Sequence, residues 1–283
     1  MLSYQHAFHA GNHADVIKHL CWLGVIKSLK KKEKPFTLYD SHAGAGLYNF
    51  TDDLSSKNKE YLSGIASLQD VVAKSSLLND YVSLCQSFVS KDAYPGSPVI
   101  SAELKRESDV LHAMELHPGE FAKLESNIAA YASSNAHSHK RDGFEGLIAL
   151  TPPKPNRGAI LIDPPYERAN EYEDVVTNVE RVLKRWQQAQ IVIWYPLLSA
   201  RSGNKHGASE AMCEKLSELQ VPCFKAEMQV AENTHDAGMY GSGVMALNPA
   251  WQLDTQLSEA MLELTEYLGE QSSSSVIWVN KDN

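Results

Sequence analysis

Positive charge is scarce in this chain. Lys and Arg number 26 against 35 Asp and Glu, a formal net charge of -9 over 283 residues. That balance excludes broad electrostatic capture of a polyanion, so any contact with nucleic acid must run through a local basic surface. Cysteine is sparse as well. Cys21, Cys85, Cys213 and Cys223 stand far apart, without the spacing of a metal ligand set or a redox pair. They read as reduced thiols of a cytosolic protein. There is no apolar run long enough for a membrane span. Residues 1–15 are polar and His-rich and lack the apolar core of a signal peptide. Internal repeats and low-complexity segments are missing too. What is present is a globular composition, 43% hydrophobic, with length for one large or two small domains.

The chain is organised around Gly158-Ala159-Ile160-Leu161-Ile162-Asp163-Pro164-Pro165-Tyr166. The apolar run reads as a strand buried on both faces. Two prolines stop it, since neither can donate to a ladder. Ligands of open α/β sheets sit beyond the carboxyl ends of the strands, which puts Asp163 and Tyr166 at the mouth of a site. The Pro-Pro pair leaves backbone acceptors without donors. A planar amine offers two N–H donors and a π-face. Asp163 and the Pro164 carbonyl can each accept one of those hydrogens, and Tyr166 can stack on the ring. A solvated Asp after a Pro-terminated strand is the plain alternative, and the tetrapeptide alone leaves both open.

The remainder alternates strand and helix. A helical period runs from His13 to Lys32, with Asn12 as its cap and Lys30, Lys31 and Lys32 in its last turn. Those lysines are a solvated helix end or, as the best basic patch of an acidic chain, a contact for RNA. His6, His9, His13 and His19 invite a metal, but no metalloprotease Glu accompanies them. They are expected to line a site or cap a helix, with no metal bound. The first strand, Phe36 to Asp40, runs into Ser41-His42-Ala43-Gly44-Ala45-Gly46. This is an ordinary tight turn or one that lets backbone approach a ligand. Two helical periods then fill residues 50–93, followed by Tyr94-Pro95-Gly96-Ser97-Pro98. The second strand ends in Glu115, a position suited to ribose hydroxyls. A short third strand, 136–140, precedes Arg141-Asp142-Gly143-Phe144. Later strands are expected at 191–195, 223–230, 243–247 and 276–279, and later helices at 171–188, 208–219 and 257–268. The pattern predicts an α/β fold: a Rossmann-like, doubly wound, mostly parallel sheet. A small helical subdomain, 50–93, is inserted between strands one and two of a domain formed by 1–49 and 94–283.

Together these pieces resemble the S-adenosylmethionine-dependent methyltransferases, and Asp163-Pro164-Pro165-Tyr166 resembles the branch that methylates planar amines. The opening Ser3-Tyr4-x-His6-x-Phe8-His9-Ala10-Gly11-Asn12-His13-Ala14-Asp15-Val16-x-Lys18-His19 is similar to that of one family, the bacterial RlmJ adenine-N6 methyltransferases of large-subunit ribosomal RNA. His42 to Gly46, Tyr94 to Pro98, Glu115 to Pro118 and Trp194-Tyr195-Pro196 resemble it as well. The resemblance implies a seven-stranded sheet, S-adenosyl-L-methionine as cofactor and 23S ribosomal RNA as partner. It places cofactor contacts on Lys18, His19, His42, Ser97, Glu115, Asp142, Gly143 and Asp163, with Gly44 and Gly46 beside the methionine part. Asp163 becomes the catalytic carboxylate; Tyr4, Pro164 and Tyr166 contact substrate. A cytoplasmic monomer is expected. The same chemistry on a DNA adenine or a guanine N2, or a cofactor-binding assembly factor without turnover, are the alternatives. The intact Asp163 disfavours the last.

Overall fold

The computed structural model describes residues 6–52, 57–132 and 134–281; Tyr4 lies outside them. Its centre is the strand β6 (Gly158–Ile162), in which every residue is buried, as its unbroken apolar run requires. β1 (Thr37–Asp40) pairs parallel with it on one side and β7 (Gln190–Leu198) on the other. Beyond β1 follow β4 (Val110–Glu115) and β5 (Ala136–Lys140), also parallel. Beyond β7 lies an antiparallel hairpin of β9 (Met239–Leu247) and β8 (Cys223–Gln229). The sheet has eight strands, one more than the resemblance implies. β10 (Ser273–Asn280) pairs antiparallel with β8 and covers that edge. Trp278 anchors it, packed edge-on against Phe224 and donating its indole N–H to Asp254.

Helices cover both faces. On one side lie α1 (His13–Lys30), α2 (Ser76–Val89), α3 (Ser97–Leu104), α4 (Pro118–Tyr131) and α8 (Leu253–Leu264). On the other lie α5 (Gly143–Leu150), α6 (Glu171–Arg185) and α7 (Ala208–Ser217). α1 is buried nearly all round, from Val16 to Ile26, which fits its wide apolar surface. Trp22 donates to Ser101 on α3, fixing the two helices against each other. Among the described residues no helix is long and apolar enough to cross a membrane.

The segment between β1 and β4 departs from the expected pair of helices. Only the second forms as an α-helix, α2, capped by Ser75. The first becomes two 3-10 turns, Glu60–Ser63 and Ile65–Leu68, because Gly64 adopts a non-helical conformation between them. Ile65 then donates its N–H to the Gly11 carbonyl, which ties the insertion to the start of α1. The flanking strands β2 (Leu47–Asn49) and β3 (Ala93–Pro95) pair antiparallel as a separate ribbon. Leu77, Leu78, Tyr81 and Val82 of α2 share one apolar core with α1 and the main sheet.

Lys30, Lys31 and Lys32, weighed above as a solvated helix end or an RNA contact, are exposed and lie away from the ligand edge of the sheet. These lysines end α1 beside the amino ends of β1 and β6. There Arg106 donates to the carbonyls of Lys32 and Lys34, and Arg157 to those of Leu29 and Lys34. The carboxyl ends of the strands, where ligands bind, face the other way.

Candidate active site

Asp40, Glu115 and Asp163 stand at or just past the carboxyl ends of β1, β4 and β6, three neighbouring strands. A cavity of about 200 Å³ opens there, lined by Lys18, His19, His42, Gly44, Ser97, Glu115, Asp142, Gly143, Asp163 and Pro164. The turn after β1 folds tightly into it. Gly44 has φ +59, and a Cβ there would meet the Tyr48 hydroxyl at 2.3 Å. At Gly143 a Cβ would meet the Ser41 carbonyl at 1.9 Å, so only glycine lets α5 begin against this turn. Glu115 accepts from the Gly44 N–H at 2.9 Å and the His117 N–H at 2.6 Å. Each of its oxygens keeps a further lone pair unused, and the residue lines the cavity. Burial, outweighing those donors, raises its pKa. Asp142 caps α5 through the Glu145 N–H, using one oxygen.

His42 is held at about 4 by burial and is therefore neutral at physiological pH. His19 is lowered well below its ordinary value by burial and by the charge of Lys18. Its Nδ1 meets the Tyr94 hydroxyl at 2.7 Å, while its buried Nε2 has no partner among the described residues. Gly46 departs from expectation. It does not line the cavity; with φ +81 it turns the chain into β2, and its carbonyl accepts from Gly96.

Asp163 does not stand alone. The ammonium of Lys18, almost wholly buried, donates to it at 2.5 Å and to Asp15 at 2.7 Å. Burial alone would discharge this lysine, but the two carboxylates outweigh it and raise its pKa. Asp15 is fully buried, yet it stays ionised, its pKa lowered well below the usual value. His6, Lys18 and the Gly11 N–H all donate to it and overcome the burial. Asp15 was not singled out in the sequence, although its i,i+3 spacing from Lys18 was a readable signal. Asp40 was missed too. It is fully buried, with one oxygen accepting from the His42 N–H and the other without a partner among the described residues. Burial and the charge of Asp163 push it up to about 7.

A second cavity, of about 170 Å³, lies on the other side of Asp163. It shares His6, Lys18, Asp163 and Pro165 with the first. Its far walls are Trp194, Pro196, Leu198 and Met239 from β7 and β9, with Lys205 beside them. Trp194 and Pro196 belong to the Trp-Tyr-Pro motif that the sequence left without a role. The Pro164 carbonyl accepts no hydrogen bond among the described residues.

Tyr166 is the other correction. It was expected to offer a free ring for stacking, but it is 3% exposed. Its ring stacks on Tyr172 at 4.3 Å, and its hydroxyl donates to the Trp194 carbonyl at 2.9 Å. The physical reason is a backbone turn at φ +48, which folds the ring back under α6. Tyr166 is part of the second cavity's floor, held from behind.

A family described as Ribosomal RNA large subunit methyltransferase D, RlmJ, matches residues 33–280. The chain belongs to the RlmJ family. The Escherichia coli protein named Ribosomal RNA large subunit methyltransferase J is 38% identical over 266 residues, 92% of each chain. Its Haemophilus influenzae namesake is 35% identical over 290 residues, the full length of both. A crystal structure of a Legionella pneumophila protein superposes with a TM-score of 0.85 at 28% identity, covering 95% of this chain and 98% of that one. Within an RlmJ fold, the two cavities divide naturally into one on the glycine turn and one on the Trp-Tyr-Pro strand, with Asp163 between them.

Proposed function

We propose that this chain transfers a methyl group from S-adenosylmethionine to N6 of an adenine in 23S ribosomal RNA. The observation that carries the reading is the meeting of two cavities at Asp163, beside a Pro164 carbonyl with no partner among the described residues. The names of the relatives supply the RNA. The first cavity fits the cofactor by its donor set. Glu115 offers lone pairs to two ribose hydroxyls. Asp142 has an oxygen free for an adenine amino group, and the Gly143 N–H can donate to the ring. Lys18 has three donors, of which two are used, leaving one for a carboxylate. The unpartnered Nε2 of His19 is a further polar group seeking a partner.

When bound, S-adenosylmethionine supplies an electrophilic methyl group on a sulfonium. The protein's task is alignment and electrostatics. The target adenine must leave its helix or loop and enter the second cavity edge-on. Asp163 and the Pro164 carbonyl then accept the two N6 hydrogens, which frees the nitrogen lone pair towards the first cavity. Positive charge develops on that nitrogen as the bond forms, and Asp163 stabilises it. The methylated ammonium is strongly acidic and gives its proton to Asp163 or water. Tyr4 is retained as a substrate contact in this reading.

The test is single-turnover methylation of a 23S ribosomal RNA transcript, read as N6-methyladenosine by mass spectrometry. Asp163→Ala is expected to lower the rate by at least about 10²–10³-fold, the usual loss for one preorganised electrostatic partner. A folded Asp163→Ala variant with near wild-type rate would remove Asp163 from the mechanism.

A further inference from the structure

The second cavity contains a cation that the proposed chemistry does not use. Lys205 ends the 3-10 turn Ala200–Lys205, which follows β7 on the ligand-binding edge of the sheet. It is partly buried and lines the cavity. Its ammonium donates at 3.1 Å to the carbonyl of Tyr166, the last residue of the catalytic turn. Among the described residues no carboxylate lies within 4.0 Å of it. Lys18, on the same cavity, has two carboxylates. The contrast is chemical: Lys18 is neutralised by the protein, Lys205 is not.

A carbonyl needs only a neutral N–H, so the bond to Tyr166 does not account for the charge. An ammonium has three donors, and two of Lys205's are left over. A partly desolvated cation without a counter-charge is an anion site in waiting. Arg201, exposed on the same turn, is in a similar position. Its guanidinium reaches the Asp236 carbonyl at 3.3 Å and makes no ion pair among the described residues. A nucleotide that enters the cavity base first, towards Asp163, must leave its phosphate near the wall and rim. This chain has a net charge of -9, so such a local pair of cations is where a polyanion would be held.

We propose that the Ala200–Lys205 turn is a phosphate clamp for the substrate RNA. Lys205 takes the phosphate of the flipped nucleotide, and Arg201 takes a neighbouring one. The clamp rests on the reading of the second cavity as the acceptor site.

The experiment uses the full chain and a fluorescent fragment of 23S ribosomal RNA. Affinity is measured by anisotropy between about 50 and 200 mM salt. Lys205→Gln keeps an N–H for Tyr166 and removes the charge. It should weaken RNA binding roughly three- to tenfold and lower the slope of log affinity against log salt by about one. Lys205→Arg should keep most of both. In single-turnover methylation, Lys205→Gln should raise the half-saturating RNA concentration while the rate at saturation changes little. Unchanged affinity and slope in Lys205→Gln would overturn the clamp and leave Lys205 as a brace for Tyr166. Equal losses in Lys205→Gln and Lys205→Arg, with no change in slope, would overturn it as well. Wild-type protein that binds the RNA fragment with normal salt dependence but never methylates it would refute the methyltransferase reading and not the clamp.

Discussion

Asp40, Glu115 and Asp163 end adjacent strands, yet each is in a different electrical state. Asp163 is bound to an ammonium, Glu115 to two backbone N–H groups, and Asp40 to one backbone N–H and the Ser97 hydroxyl, with its other oxygen bare among the described residues. The bare oxygen makes Asp40 the carboxyl most easily kept neutral. Its ordinary value of 3.8 rises to about 7 through burial and the nearby charge of Asp163. Between those values the folded protein holds one proton more than the unfolded chain. The stabilisation from Asp40 is therefore complete below pH about 4. It falls by about 1.4 kcal/mol per pH unit as the pH rises, and is gone above about 7. Asp40→Asn removes that slope. Urea unfolding of both proteins from pH about 4.5 to 8 should show the variant gaining on wild type as pH rises; parallel curves would mean that Asp40 is ionised throughout. Residue identities carried part of this in the sequence. Asp163 and Glu115 were legible because an acid ending a strand points to the ligand edge. The same rule applied to Asp40, but only its burial distinguishes it from a solvated strand end. Tyr166 was misread because nothing in the string Pro-Pro-Tyr announces a left-handed backbone.

At the scale of elements, α1 links the site to the insertion, and its first turn bears the load. Asn12 accepts from the Ala14 and Asp15 N–H groups and donates to Glu60, which also binds His9. One side chain thus caps the helix that carries Lys18 and ties it to the turn at Glu60–Ser63. Asn12→Ala should cost about 1–2 kcal/mol, at the upper end for a cap because the bond to Glu60 goes too. Chemical denaturation measures it, and a loss under about 0.3 kcal/mol would show that the cap is dispensable. The cap itself was readable from an Asn ahead of a 3.6-residue period. So were the five parallel strands, four of them from apolar runs that end in acids or prolines, and β5 from its place before a turn although it is polar. The insertion was only half readable. α2 has a clear apolar face and a Ser cap, while residues 60–68 share the same apolar spacing but are broken at Gly64 by contact with Gly11, a partner 53 positions earlier in the chain. Local periodicity cannot register a contact of that range. The edge strand β10 was seen as a strand, but its antiparallel place beside β8 rests on Trp278 meeting Phe224.

Over the whole molecule, charge is arranged along the direction of the sheet. At the ligand edge stand Asp40, Glu115, Asp142 and Asp163, answered by Lys18 and, further out, by Arg201 and Lys205. At the opposite edge Lys30, Lys31, Lys32, Lys34, Arg106 and Arg157 gather around the end of α1. Twelve residues of helix separate Lys30 from Lys18, about 18 Å at 1.5 Å per residue. The guanidinium groups there are bound to the last carbonyls of α1 and the loop after it, so they act as caps rather than as a free surface. A flipped base on Asp163 and a phosphate on Lys30 would thus lie at opposite ends of one long helix. Replacing Lys30, Lys31 and Lys32 together by Gln is therefore expected to leave RNA affinity and its salt slope unchanged. Stability should fall by no more than about 1 kcal/mol, through weaker interaction with the helix end. The comparison is anisotropy of the same RNA fragment across the same salt range used for Lys205→Gln. A fall of about one unit of slope per lysine removed would show that RNA reaches across the far edge of the sheet. The bound RNA would then span the molecule from end to end, with the clamp at Lys205 as only one of its anchors.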